Sequence, residues 1–390
     1  MTSPLPPAPE NPSQPLNVSV VGAGIAGLTA AIALRRNGHH VKIFETSENK
    51  TEISAGISVQ INSLRVLEHL GLAKENLHAV HYDGDLFCLR SDLHDELKRL
   101  AIGEGEGPPA KLHLGSKVLA CDPEEGTLTL GNGEAIHADL ILGADGIHSV
   151  IRTSVLGYAQ KAPASGVSCF RGVFDASRIL EIPELTWCSE GISGARCVLT
   201  SDGEPFRMFF VYPCHDGSVI NFVGFYTDEH QDDPGWTSTT TREELLEAFK
   251  NFHPKFRRVL DLADRPILKW QVRALPLLPT WIRGRTALIG DAAHATFPML
   301  GQGAAMAIEE GGALGCLLPA GTVRDEVAAR LVAYQTLRKS RGDFVNTESL
   351  EEASIPSKRG EYIRSREIQT YLKGYNAIEA AQECCRTHFG

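Results

Sequence analysis

NVSVVGAGIAGLTAAIALRRNGHHVKIFE, residues 17–45, packs a strand, a glycine turn, a helix and a second strand into one short run. The β-branched run Val18 to Val21 reads as a buried strand. An alanine-rich stretch to about Arg36 reads as the helix, Gly38 as its stop, and Val41 to Phe44 as the next strand. Strand–turn–helix–strand opens a parallel sheet, because parallel neighbours need a crossover. In the turn, Gly22 permits the tight bend, Gly24 lets a pyrophosphate approach the backbone at a helix N-terminus, and Gly27 allows close helix–sheet packing. Glu45, at the end of the second strand, is placed to accept hydrogen bonds from a ribose 2′-hydroxyl. This fingerprint alone fits NAD and FAD equally.

Working outward, 62–72 and Asp92 to Leu100 read as helices. Lys111 to Leu142 turns to a β pattern, with turns at Asp122-Pro123 and Gly131-Asn132-Gly133. ADLILGAD, ending at Asp145, is a buried strand running into a glycine turn. From Ser168 to about Val272 strand-like runs such as RMFFVYP and SVINFVGFY dominate, interrupted by a helix from Glu243 to Asn251. TALIGD, Thr286 to Asp291, returns to the strand–glycine–acid pattern, and a long helix follows from about Ala304. The chain from Asp325 is helical and highly charged, broken near Pro356.

The block after Asp291 narrows the ligand. In AAHATFPMLGQGAAMAIEEGGALG, Gly301 and Gly303 allow a flat ring to approach the backbone, and the following helix aims its N-terminus there. A positive helix end beside the N1–C2=O edge of a flavin stabilises the reduced anion. Asp291 suits the ribityl chain. A plain NAD dehydrogenase needs no such second site, so FAD is expected. Asp145, in Gly143-Ala144-Asp145-Gly146, either holds its own loop or touches the cofactor pyrophosphate.

Together the three blocks resemble the group A FAD-dependent aromatic monooxygenases, the p-hydroxybenzoate and salicylate hydroxylase type, and their fungal members most closely. The resemblance runs from Val18 to about Ala381, with Asp145-Gly146 as the family's DG motif and Gly290-Asp291 as its GD motif. It implies an α/β fold: a Rossmann-like FAD-binding domain with a mostly β-sheet substrate domain, as in p-hydroxybenzoate hydroxylase. The expected division is a disordered arm over 1–16, a discontinuous FAD-binding domain over 17–158 and 278–345, a substrate domain over 159–277, and a C-terminal helical tail over 346–390. RSDLHDEL is similar to a family helix whose arginine, here Arg90, contacts the flavin. SAGISVQINSLRVL resembles a loop that brings Gly56 to the flavin. The resemblance further places Pro298 beside the flavin reaction centre and makes Ala304 a backbone donor to the ring. FRGVFD and VYPCHDG resemble pocket-lining segments, which makes Arg171 and Tyr212 the candidates for holding a phenolate. The implied reaction uses NAD(P)H as a transient co-substrate, O2, and a flavin C4a-hydroperoxide to hydroxylate a small aromatic or phenolic compound, as in secondary metabolism. An epoxidase or oxidase on the same fold, or a flavin-binding protein with little turnover, are the alternatives. One departure stands out: family members carry a longer stretch between Leu72 and Arg90, where only Ala73 to Leu89 remains here.

Bulk properties agree with an enzyme. At about 150 residues per domain, 390 residues make two or three folding units. The net charge of -10 argues against nucleic acid or an anionic membrane as partner, and no apolar run is long enough for a spanning helix. The Pro- and Ser-rich start lacks the pattern of a signal peptide. Nine cysteines without CxxC pairs fit reduced thiols in the cytoplasm, with Cys384 and Cys385 expected as free surface thiols. His294 and His215 are expected in helix-capping or surface roles, and no His/Cys cluster has metal-ligand spacing. A monomer or homodimer is expected.

Overall fold

A computed structural model describes residues 14–48, 55–188, 194–199, 205–228, 237–263 and 267–390. The proposed arm falls mainly outside these residues. Its last member is a correction: Leu16 is 2% exposed and its N–H donates to His39 Nδ1. Composition suggested disorder, but Leu16 enters the first core as the lead-in to the strand.

The first sheet has six strands in the order Ile282–Arg283, Thr286–Leu288, Leu140–Gly143, Asn17–Val21, His40–Phe44, Lys111–His113. All neighbours are parallel except the first pair, a hairpin. Val21 lies opposite both Gly143 and Phe44, so those strands end level. The turns at Gly22, Asp145 and Glu45 therefore share one edge, the carboxyl edge where doubly wound sheets bind ligands. Leu140, Ile141 and Leu142 are completely buried, as a strand covered on both faces must be.

The glycine-turn helix, Ile25–Arg36, lies against a second helix, Gly303–Leu317. Small residues set their closeness. A Cβ on Gly311 would stand 2.8 Å from Ala30 N, and one on Gly315 2.7 Å from Ala33 Cβ.

The second sheet is antiparallel, in the order Arg196–Leu199, Arg207–Cys214, Val219–Thr227, Ala164–Asp175, Ile267–Arg273, Thr237–Thr240. Alternation gives it two different faces. Phe170, Phe209 and Phe222 point to one side and bury with Leu245 and Phe249 near the helix Arg242–Ala248. Cys169, Met208 and Phe225 point to the other, against Phe297, Met299, Leu300 and Met306 of the first unit. Farther along this second face, Arg171, Phe210, Tyr212, Val223 and Trp270 are only half-buried.

The short stretch before Arg90 still forms structure. Val80–Tyr82 and Asp85–Leu89 join Gly56–Val59 in a three-stranded sheet. Phe87 from it packs against the Tyr212 ring, with centroids 5.1 Å apart and the planes tilted by 47°. At the other end of the chain, the helix Val327–Ser354 stops before Pro356, as expected, and Leu372, Ala377, Ile378 and Ala381 are buried.

Candidate functional site

The glycine turn is built by exclusion. Gly22 has φ +103°, and a Cβ on it would stand 2.3 Å from Ala144 O. A Cβ on Gly27 would stand 2.0 Å from Gly22 O. At Gly24 a Cβ would meet no atom within 4 Å, so the backbone there faces open space. The helix that follows has no side-chain cap and no acid in its first turn. Its N–H groups and dipole are left for an anion. Glu45 stands beside this turn: its Oε2 accepts from Ala23 N at 2.9 Å and its Oε1 from Ser47 N at 3.0 Å. His94 Nε2 is 2.8 Å from Ala23 O, a support the sequence did not reveal.

Asp145 holds its own loop. It accepts from Ser149 Oγ at 2.5 Å, Val150 N at 2.7 Å and Ile151 N at 3.2 Å, securing the start of the helix Val150–Leu156. Burial pushes its carboxyl above the usual range, and the Ser149 hydroxyl and the two N–H groups oppose that push. Asp291 is exposed, at the start of the short helix Asp291–His294. Gly290 before it has φ +59°, and its N–H donates to Glu310 Oε2 at 2.7 Å.

Pro298 opens a single 3-10 turn to Leu300, Gly301 adopts φ +62°, and Gly303 begins the helix whose second residue is Ala304. This helix also lacks a side-chain cap and a first-turn acid. Arg90 begins the helix Arg90–Ile102, with its N–H on Ala55 O at 2.8 Å. An open glycine cradle, an acid at each end of the edge and two uncapped helix starts match the parts of FAD: pyrophosphate, ribose, ribityl and ring.

The second sheet brings Arg171 and Tyr212 to one face. Arg171 lies opposite Val223, and Tyr212 opposite Asn221, two positions along the same strand. The Arg171 guanidinium sits 5.7 Å from the Trp270 ring centre, and its Nε has no hydrogen-bond partner among the described residues. Burial pushes the Tyr212 phenol well above its ordinary range; the neighbouring Arg171 charge opposes this. Tyr212 therefore stays neutral and can donate a hydrogen bond. Gly56 reaches the same place: its N–H donates to Asn221 Oδ1 at 2.7 Å, and a Cβ on it would stand 2.6 Å from Tyr212 Cε2. Asn221 was missed by sequence reasoning. The only signal was a polar residue interrupting the apolar strand SVINFVGFY.

The histidines divide. His215 lies at the exposed turn after Cys214, with Nδ1 3.1 Å from Asp92 Oδ2. His294 is not on the surface and does not cap: it is 3% exposed, with Nε2 2.6 Å from Glu310 Oε1. Burial alone would lower its pKa, but the Glu310 carboxylate outweighs it and the pKa is raised. Cys384 and Cys385 are half-buried free thiols rather than surface ones.

The FAD binding domain family matches residues 122–349, and an NAD(P)-binding Rossmann-like domain matches 20–49. Hispidin-3-hydroxylase of Neonothopanus nambi is 41% identical over 408 aligned positions, covering 95% of this chain and 96% of that protein. The alignment is longer than the 390-residue chain, so the relative carries residues that this chain lacks. The FAD-dependent monooxygenase cfoG of Aspergillus candidus is 31% identical, covering 85% of this chain and 83% of its own. A salicylate hydroxylase substrate complex shares the fold with a TM-score of 0.77 at 24% identity, covering 96% of this chain and 99% of that one. Fingerprint, cradle and relatives agree, and the chain belongs to the FAD-dependent monooxygenases, the flavoprotein hydroxylases of the salicylate hydroxylase type.

Proposed function

We propose that this enzyme hydroxylates a small phenol held against the flavin-facing side of the second sheet, with Arg171 and Tyr212 gripping the phenol oxygen. The observation that carries this is their convergence on one half-buried face, where Arg171 Nε has no partner among the described residues. Bound FAD would supply the redox chemistry, hydride acceptance from NAD(P)H and activation of O2. The chain's own part is to bind, orient and exclude water. A guanidinium stabilises a phenolate, and the neutral Tyr212 hydroxyl donates a second hydrogen bond to it. A more electron-rich ring is the better nucleophile. Phe87 and Trp270 flank these groups with apolar surface, which strengthens both contacts by keeping water away.

The labour divides accordingly, with 17–158 and 278–345 holding the cofactor and 159–277 the substrate. Gly22, Gly24, Gly27, Glu45 and Asp291 hold the nucleotide and ribityl parts, and Gly56, Arg90, Pro298, Gly301, Gly303 and Ala304 surround the ring. Asp145 acts at one remove, through the loop. All nine cysteines are free, which supports a reducing compartment and hence the cytoplasm. No helix among the described residues is long and apolar enough to cross a membrane.

Because a relative hydroxylates hispidin at its 3-position by name, hispidin heads the panel of phenols to test, with salicylate beside it. The assay is phenol-stimulated oxidation of NADH and NADPH by the FAD-loaded protein, with a product one oxygen heavier by mass spectrometry. Arg171→Ala should keep its flavin and lose about 100-fold in kcat/KM, the scale of losing one oriented charged donor. Full hydroxylation by that variant would remove Arg171 from substrate binding.

A further inference from the structure

The turn Pro298–Gly303 is held from behind by a chain of mostly buried side chains that begins at the half-buried Tyr362 and returns to the C-terminal segment. Gln60, 4% exposed, is its hub. Gln60 Nε2 donates to Leu300 O at 2.9 Å, and Gln60 Oε1 accepts from Gln302 Nε2 at 2.5 Å and from the Tyr362 hydroxyl at 3.0 Å. Gln302 Oε1 accepts from Asn62 Nδ2, which also donates to Glu309 Oε1 at 2.7 Å. Glu309 is fully buried and takes both Arg341 Nε and Nη2 at 2.9 Å. Arg341 then returns to the C-terminal segment through Leu372 O at 2.9 Å. Sequence alone gave this segment no chemical part.

We infer that Tyr362 is a positioning residue for the flavin: its hydroxyl fixes the Gln60 amide, and Gln60 fixes Leu300 and Gln302 on either side of Gly301. The inference rests on the reading that the flavin ring lies on this turn. A side-chain amide can rotate about its terminal bond, and a third partner on the amide, the second on its oxygen, removes that freedom. With the amide locked, the carbonyl of Leu300 and the start of the helix Gly303–Leu317 are locked with it. The C-terminal segment thus belongs to the cofactor site without touching the cofactor.

The test is FAD titration of the full chain, read by flavin fluorescence and by the visible absorption of the bound flavin. Tyr362→Phe keeps the ring and deletes the hydroxyl. It should raise the FAD dissociation constant about 5- to 10-fold, the usual effect of one buried hydrogen bond, and shift the flavin band. Tyr226→Phe deletes a comparable hydroxyl, bonded to Asp228 in the second sheet, and should change neither. Equal weakening by both variants, or wild-type titration and spectrum for Tyr362→Phe, overturns the inference. Gly301→Val perturbs the turn and its hub together, since φ +62° disfavours a branched residue and the new Cβ would stand 3.0 Å from Gln60 Nε2. If Gly301→Val perturbs the flavin and Tyr362→Phe does not, the tether alone is wrong. If neither does, the ring does not lie on this turn and the tether falls with it.

Discussion

Replacing Gly56 with alanine adds one methyl group where two residues already stand. The new Cβ would lie 2.6 Å from Tyr212 Cε2 and 2.7 Å from both Cβ and Cγ of Asn221. Carbon atoms rest at about 3.5–4.0 Å, so the strand Gly56–Val59 or the Tyr212 ring must retreat by about 1 Å. Either movement also strains the 2.7 Å hydrogen bond from Gly56 N to Asn221. Overpacking of this kind costs about 1–3 kcal/mol. Spread over 390 residues at about 2.1 cal/mol/K each, that lowers Tm by about 1–4 °C. Catalysis should suffer more, because a displacement of about 1 Å at a substrate-positioning group costs about 100-fold in rate. Calorimetry, flavin content by absorbance, and turnover with the most effective phenol of the panel measure the three effects. Gly172→Ala in the second sheet is the matched control: its Cβ would meet nothing within 4 Å, and it should be silent. A Gly56→Ala enzyme with wild-type turnover and Tm would refute the placement of Gly56 against Tyr212.

Glu309→Gln leaves Arg338 and Arg341 buried without their carboxylate. The expected loss is about 3–5 kcal/mol, read as a lowered urea midpoint, and an unchanged midpoint would show that the two cations find another partner. His294 has a pKa raised above its unfolded value of 6.5 by Glu310. Its contribution to stability is therefore complete below pH 6.5 and is lost as pH rises through the raised value. Tm measured against pH should fall on the alkaline flank in the wild type, and His294→Gln should flatten that flank. Glu45→Ala removes the acceptor for Ala23 N and should weaken FAD binding about 10-fold or more, the scale of a charged hydrogen bond. Fluorescence titration decides that case.

What could be read from the sequence was what neighbours in the chain determine. Gly22, Gly24 and Gly27 act within six residues of one another, so spacing alone conveys their geometry. The strand carrying Tyr212 was visible as an apolar run and the segment carrying Arg171 through the family resemblance, but the face each residue takes depends on strand pairing across the sheet. Asn221 bonds to a residue 165 positions away, and Tyr362 to one 302 positions away; no local pattern announces such partners. Leu16 was misjudged because prolines dominate the composition before it, whereas its burial depends on His39 and the sheet. His294 was misjudged for a similar reason: its partner Glu310 lies on the next helix, within an apolar, glycine-rich run.

The close contact of the helices Ile25–Arg36 and Gly303–Leu317 has a consequence for ligand choice. Gly311 and Gly315 let the two helices pack closely, with only the small side chains of Thr29 and Ala33 against them. Each helix offers one uncapped start, and the packing of the two helices ties those starts together. The protein thereby works as a gauge. A ligand long enough to reach both ends engages them as linked contacts, the second at high effective concentration. ADP or FMN, each carrying only part of FAD, can satisfy one end and gains nothing from the other.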